Sequence, residues 1–244
     1  MTNIYLKVSN IDEIHYRQKW LSDPKTMSYN AGYDMDLKGY DKETGTISKT
    51  DEEMIDWYNK WVNKEPDRYY AYIYSVDESE PIGEVYFYPD GDIHSMGILI
   101  NDKYRGKGYS YLALLELLEV AFERNSIDEL SDYIPVDRIG AIKSFKKAGF
   151  IQTDLEKKDL VFGNEVISKQ LLITKDMYFK DIRWHYEINS IIGVNERAYD
   201  SFYEIKDKYG NYLMDVLKDI YNSDKSIESK IREGFDYICS VLSD

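Results

Sequence analysis

The residues best placed to do chemistry are Arg105-Gly106-Lys107-Gly108-Tyr109-Ser110. They lie between a strand-like run, residues 93–100, and a long apolar helical run, residues 111–122. Two glycines at the entrance to a helix leave backbone N–H groups uncovered, and the helix dipole adds partial positive charge at the same point. Together these make a cradle for a pyrophosphate. A phosphate-bearing cofactor is therefore the first expectation, and a glycine-rich turn that merely caps a helix is the alternative. Spacing removes two cofactor classes. The lysine-containing P-loop needs four residues between its glycines, and here only Lys107 intervenes. The dinucleotide fingerprint G-x-G-x-x-G would need glycine at position 111, which is Tyr111.

Two side chains are candidates for moving a proton. His94 lies on the strand at 93–100 and, counting by two, shares a face with Met96 and Ile98. With a reference pKa of about 6.5, an imidazole can deprotonate an ammonium near neutral pH. The competing reading is a hydrogen-bonded strand histidine. Glu84, in Ile-Gly-Glu-Val-Tyr-Phe, is a lone acid in an apolar run and the rival base; otherwise it is an outward-facing strand residue. Ser95 points away from His94 and could help only through water. The three histidines, His15, His94 and His185, have no metal-ligand spacing, so no metal is expected.

About thirty residues beyond the glycines comes Arg138-Ile-Gly-Ala141-Ile-Lys-Ser-Phe145-Lys-Lys-Ala-Gly149-Phe150. Ala141, Phe145 and Gly149 fall at i, i+4 and i+8, close to one helix face, and a glycine just past a helix end takes the left-handed conformation cheaply. The two segments, in this order and spacing, resemble the GNAT N-acetyltransferase superfamily. The first resembles its acyl-CoA signature, [Arg/Gln]-x-x-Gly-x-[Gly/Ala], with Ser110 in the last small position. The second is similar to Asn-x-x-Ala-x-x-x-Tyr-x-x-x-Gly-Phe, with Arg138 for the asparagine and Phe145 for the tyrosine. The resemblance covers residues 1–174.

This resemblance implies a set of roles. Acetyl-CoA is the acyl donor. The backbone of Ile98, Leu99 and Ile100 pairs with its pantetheine arm, and a main-chain N–H there, that of Ile98 in particular, polarises the thioester oxygen. Backbone groups of Arg105, Gly106, Lys107, Gly108, Tyr109 and Ser110 take the pyrophosphate, with added charge from Arg105 and Lys107. Arg138 and Phe145 also fall on the cofactor side. Several family members place a carboxylate base at the position of His94. Many place a tyrosine acid where this chain has Phe145, which has no proton to give. Protonation of the thiolate then falls to Tyr109, Tyr133, water or the ammonium proton itself.

These residues need a scaffold, and the pattern supplies one. Helices are expected over 13–20, 51–63, 106–124 and 138–148. Strands are expected over 69–76, 82–88, 93–100, 129–134, 152–162 and 165–174, with turns at Pro89-Asp90-Gly91-Asp92 and Gly163-Asn164. The order predicts an α/β (α+β) fold in which a mixed, mostly antiparallel twisted sheet is flanked by helices over residues 1–174. Residues 26–50 lack periodicity. Tyr29, Tyr33 and Asp34, with Asp36, Tyr40 and Asp41, would suit an acidic acceptor site there; a surface loop is the alternative.

Residues 175–244 read as a helical C-terminal extension. Ile227, Ile231, Phe235, Ile238 and Leu242 make one apolar stripe, which must bury in cis or form a homodimer. The lone Cys239 lies in that stripe and cannot form an internal disulfide.

Forty-five acids against thirty-one bases give a net charge of −14, which repels nucleic acid and favours cationic partners. No apolar run is long enough to span a membrane, and no signal peptide is apparent, so a cytoplasmic enzyme is expected. The leading expectation is an N-acetyltransferase for a small cationic amine. Transfer to a protein N-terminus or lysine is the alternative, as is a non-catalytic acyl-CoA-binding module.

Overall fold

The computed structural model of the chain describes residues 4–179. The expected tail stripes, the dimer they could build and Cys239 lie outside the described residues. Seven strands form one sheet: β1 (Ile4–Lys7), β2 (Tyr69–Ser75), β3 (Gly83–Asp90), β4 (Ile93–Ile100), β5 (Glu129–Pro135), β6 (Ile151–Val161) and β7 (Asn164–Thr174). Their order is β1-β2-β3-β4-β5-β7-β6. The α-helices among the described residues are α1 (Ile14–Leu21), α2 (Pro24–Met27), α3 (Asp51–Trp61), α4 (Tyr109–Glu119), α5 (Ile139–Lys147) and the single turn α6 (Lys175–Met177). The mixed, mostly antiparallel sheet expected from the pattern is present, with ends within a few residues of those expected. The short β1 was not among the expected strands.

β2 shows why the sheet has two covered faces. Every residue of it is buried, and alternation sends its side chains to two different cores. Tyr70, Tyr72 and Tyr74 pack with Trp20 of α1 and Val62 at the end of α3. Ala71 and Ile73 point the other way, and Ala71 pairs across the ladder with the fully buried Val85. On that second side α4 lies against β1, β3, β4 and α5, burying Ala113, Leu114, Leu117 and Leu118.

Local chemistry fixes the helix ends. Thr50 caps α3 by accepting the Glu53 N–H at 3.2 Å, while Glu53 accepts the Thr50 N–H at 3.0 Å. The expected helix over 106–124 is shorter. It starts after Gly108, whose φ of 83° is left-handed, and beyond Glu119 it widens into a π-helical turn, Val120–Arg124. The tight β3–β4 hairpin turns on Gly91, with φ at 68°. Residues 26–50 are more ordered than their composition suggested. Asp23 caps α2, accepting from the N–H of Lys25 and Thr26. Asp41 accepts the N–H of Glu43 at 2.9 Å and of Thr44 at 3.0 Å. Tyr40 bridges to Ile47.

The feature that positions the site is the junction of β4 and β5. All other neighbours in the sheet are antiparallel; these two are parallel and share only the pairs His94–Leu130 and Ser95–Ser131. Beyond them β4 runs on to Ile100 beside β3, and β5 runs on to Pro135 beside β7. The two strands diverge and leave a slot in the middle of the sheet.

Candidate functional site

A cavity of about 430 Å³ fills that slot. Its walls are Ile98 and Ile100 of β4, Asp132 to Pro135 of β5, the glycine loop and start of α4, and the first half of α5, with Tyr29 closing one side. The pattern therefore brings Ile98, Ile100, Arg105, Gly106, Gly108, Tyr109, Ser110, Arg138, Phe145 and Tyr29 to one place.

The glycine loop leaves open space beside its backbone. Gly106 and Gly108 hold φ at 76° and 83°, and a Cβ built on Gly106 would meet no atom within 4 Å. The first-turn N–H groups of α4 have no carbonyl a turn earlier to bond, the arrangement that suits an anion. Ser110 Oγ lies 3.0 Å from Ser144 Oγ, tying α4 to α5 beside it. Phe145 is 2% exposed, with its ring edge-on to Phe150 at 4.8 Å. It forms an apolar wall and carries no proton.

The two arginines do different work from the one their charge suggests. Arg105 was expected to add charge to a phosphate site, yet each of its three guanidinium nitrogens donates to a protein carbonyl: Nε to Ile100 at 3.0 Å, one terminal nitrogen to Lys25 at 3.0 Å and the other to Thr26. Arg138 donates to the Tyr29 carbonyl and lies 3.4 Å from the Tyr33 hydroxyl. The Tyr29 ring is 4.3 Å from the Arg105 guanidinium carbon and 5.0 Å from that of Arg138. Lys107 Nζ stands 5.3 Å from the Tyr104 ring.

The candidate bases fare differently from expectation. Glu84 is 3% exposed and committed. It is ion-paired with Arg17 and accepts from the Tyr70 hydroxyl at 2.5 Å. The Arg17 guanidinium in turn lies 4.3 Å from the Trp57 ring, and its ionised form is strongly favoured: burial opposes the charge, but the Glu84 carboxylate together with Tyr70 and Tyr86 outweighs burial. The carboxylate is thus occupied by protein partners, and it does not line the cavity. His94 does not line it either. It sits where β4 and β5 are still paired, edge-on to Phe87 at 5.9 Å, and burial draws its pKa down. Leu99 turns its side chain to the opposite core, against the Trp20–Tyr72 cluster. Among the acceptor-loop candidates Tyr29 lines the cavity and Tyr33 reaches it through Arg138. Burial raises the Tyr33 phenol pKa. Asp34 is ion-paired with Lys42 outside the cavity.

The acid that does face the cavity is Asp132, which residue patterns left unmarked. Burial pushes its pKa up to about 7, against a Tyr133 N–H donating at 2.8 Å and the distant charges of Arg138 and Lys157. Its signal was present in Glu-Leu-Ser-Asp-Tyr-Ile-Pro, an acid in the middle of a strand that ends at the slot.

No grouping of His, Cys, Asp and Glu among the described residues could hold a metal ion, and no helix among them is long and apolar enough to cross a membrane.

Comparison with known proteins agrees with this geometry. The family described as acetyltransferase (GNAT) domain matches residues 6–151. Among solved structures, a spermidine N-acetyltransferase from Vibrio cholerae, in complex with CoA and spermine, superposes with a TM-score of 0.58 at 15% identity, over 72% of this chain and 98% of that one. A GNAT-family acetyltransferase from Bacillus anthracis gives 0.54 at 14% identity, over 72% and 98%. No curated protein sequence matches the chain. The structural likeness establishes the fold, and the family match, which spans well over half of the sequence, establishes kinship: the chain belongs to the GNAT acetyltransferases and is an acyltransferase enzyme.

Proposed function

We propose that this protein is an N-acetyltransferase that moves the acetyl group of acetyl-CoA to the primary amine of a small cationic acceptor. The observation that carries the reading is the cavity in the β4–β5 slot, which has a glycine-lined helix N-terminus and a proton-exchanging acid on one continuous surface. The phosphates belong at residues 106–110, held by main-chain N–H groups. The extended arm belongs along residues 98–100, whose backbone borders the slot. Apolar contact comes from Ile98, Ile100 and Phe145.

The acceptor arrives as an ammonium and must lose a proton before its nitrogen attacks the thioester carbonyl. Asp132 takes that proton in place of His94 and Glu84. Its pKa near 7 lets it do so at neutral pH. As the carbon–nitrogen bond forms, the carbon–sulfur bond breaks, and the thiolate needs a proton. Tyr109 and Tyr133, two of the four tyrosines on the cavity wall, are the phenols assigned to give one, and the second proton shed by the nitrogen as the amide forms restores the phenol. Holding the two reactants together supplies much of the remaining acceleration. The net charge of −14 and the polyamine substrates named for the Vibrio cholerae neighbours both favour a cationic acceptor.

Calorimetric titration with acetyl-CoA, beside a Gly108→Glu variant, tests the donor. Micromolar binding that the variant loses supports the reading; no binding by the folded wild type removes it. Thiol release in the presence of spermidine, spermine and simpler diamines then tests the acceptor. Turnover with none of them, alongside intact acetyl-CoA binding, would sink the cationic-amine assignment.

A further inference from the structure

Arg105 opens the glycine loop, where a cation is ordinarily credited to the phosphates. Its surroundings give it another task. Its nitrogens donate to the carbonyls of Ile100, Lys25 and Thr26, which lie on two segments far apart in sequence: the end of β4, and α2. The planar fork of a guanidinium suits this, because it fixes direction as well as distance. A second tie runs alongside, with the Asp102 N–H donating to Thr26 Oγ at 3.3 Å. Immediately after Thr26 the chain reaches Tyr29, the cavity wall, whose ring contacts Arg105 and whose carbonyl accepts from Arg138 at the start of α5. The wall is thus attached both to the glycine loop and to the start of α5, which border the cavity.

We propose that Arg105 is a positioning residue, not a phosphate ligand. It locks the wall formed by Lys25, Thr26 and Tyr29 to the glycine loop, so that the donor loop and the acceptor-side wall hold one geometry. The proposal rests on the reading of the cavity as an acetyl-CoA site, and its test separates the two. Arg105→Gln removes both charge and fork; Arg105→Lys keeps the charge and loses the fork.

Hydrogen–deuterium exchange of the ligand-free proteins reads the lock directly. Peptides covering residues 24–33 should exchange about tenfold faster in both variants than in the wild type, while β2 peptides stay protected. Calorimetry should find acetyl-CoA affinity within about threefold of wild type in both, because main-chain N–H groups hold the phosphates. Unchanged exchange at 24–33 would overturn the proposal. So would a variant pair in which Lys keeps acetyl-CoA affinity and Gln loses it, since that is the signature of charge on phosphate. If the wild type binds no acetyl-CoA, the functional reading falls, and the exchange experiment still decides whether Arg105 is a lock.

Discussion

Glu84 and Asp132 are both acids inside strands, and they sit in two very different regions. Glu84 lies beneath α1 and α3, ion-paired with Arg17 and hydrogen-bonded to Tyr70. Asp132 lies at the open end of β5, facing a cavity, with one local N–H as its hydrogen-bond donor. The first acid is buried together with a dedicated cation and a phenol donor that hold it in place. The second is only partly exposed and has no such cation, so desolvation holds its two protonation states nearly equal at neutral pH. An acid conspicuous in a strand is not by that fact a base. What distinguishes the two is whether a cation comes with it, and the strand's own sequence does not say.

The contrast can be broken from the Glu84 side first. Arg17→Met should leave the Glu84 charge buried and unpaired and lower stability by about 3–5 kcal/mol in urea unfolding. A loss under 1 kcal/mol would mean the pair is not the structural element described here. Asp132→Asn should do the reverse, leaving the fold intact while lowering kcat/KM by about 100- to 1000-fold. Wild-type rates in that variant would return the base to His94 or to water.

A pH series sharpens the same contrast. In the native state Asp132 keeps its proton up to about pH 7, whereas an unfolded aspartate loses it near 4. Between those values the folded protein binds the extra proton. This group's contribution is therefore full below about pH 4 and is lost as pH rises towards 7. The stability difference between Asp132→Asn and wild type should grow in favour of the variant across that window. An unchanging difference would show that Asp132 titrates normally. Rate should move oppositely, with wild-type kcat/KM rising as Asp132 ionises. The smallest effect is expected at His94, which is half-buried away from the cavity. His94→Ala should change kcat/KM by less than about threefold, and a tenfold loss would reinstate it.

Much of the scaffold was legible in the sequence because its signals are local. The aromatic run of β2, the Asp-Gly turn after β3 and the glycine past α5 each act through neighbours a few residues away, so pattern and spacing locate them. The glycine loop was legible for the same reason: positive φ at Gly106 and Gly108 is a local demand. Pairings across the fold were not. Nothing in the run around Glu84 announces Arg17, which lies 67 residues earlier, and nothing in the motif announces that Arg105 turns towards Thr26, 79 residues earlier. The order within residues 26–50 was hidden too, because it rests on Asp23 and Asp41 bonding to nearby N–H groups and not on apolar periodicity. Asp132 was overlooked because its place in the cavity depends on where β4 and β5 part, which is a property of the sheet.

That parting leaves two strand edges in the interior of a sheet, along residues 97–100 and 132–135. An open edge on a protein surface invites another chain to add itself, and folds usually shield such edges with charge, proline or early termination. Here the two edges shield each other. They face across a gap bounded by helices, so a strand from another folded protein has no approach, while a slender extended molecule with its own amide groups can slide between them. The topology itself acts as a sieve: the molecule's most adhesive backbone is exposed only to guests thin enough to fit.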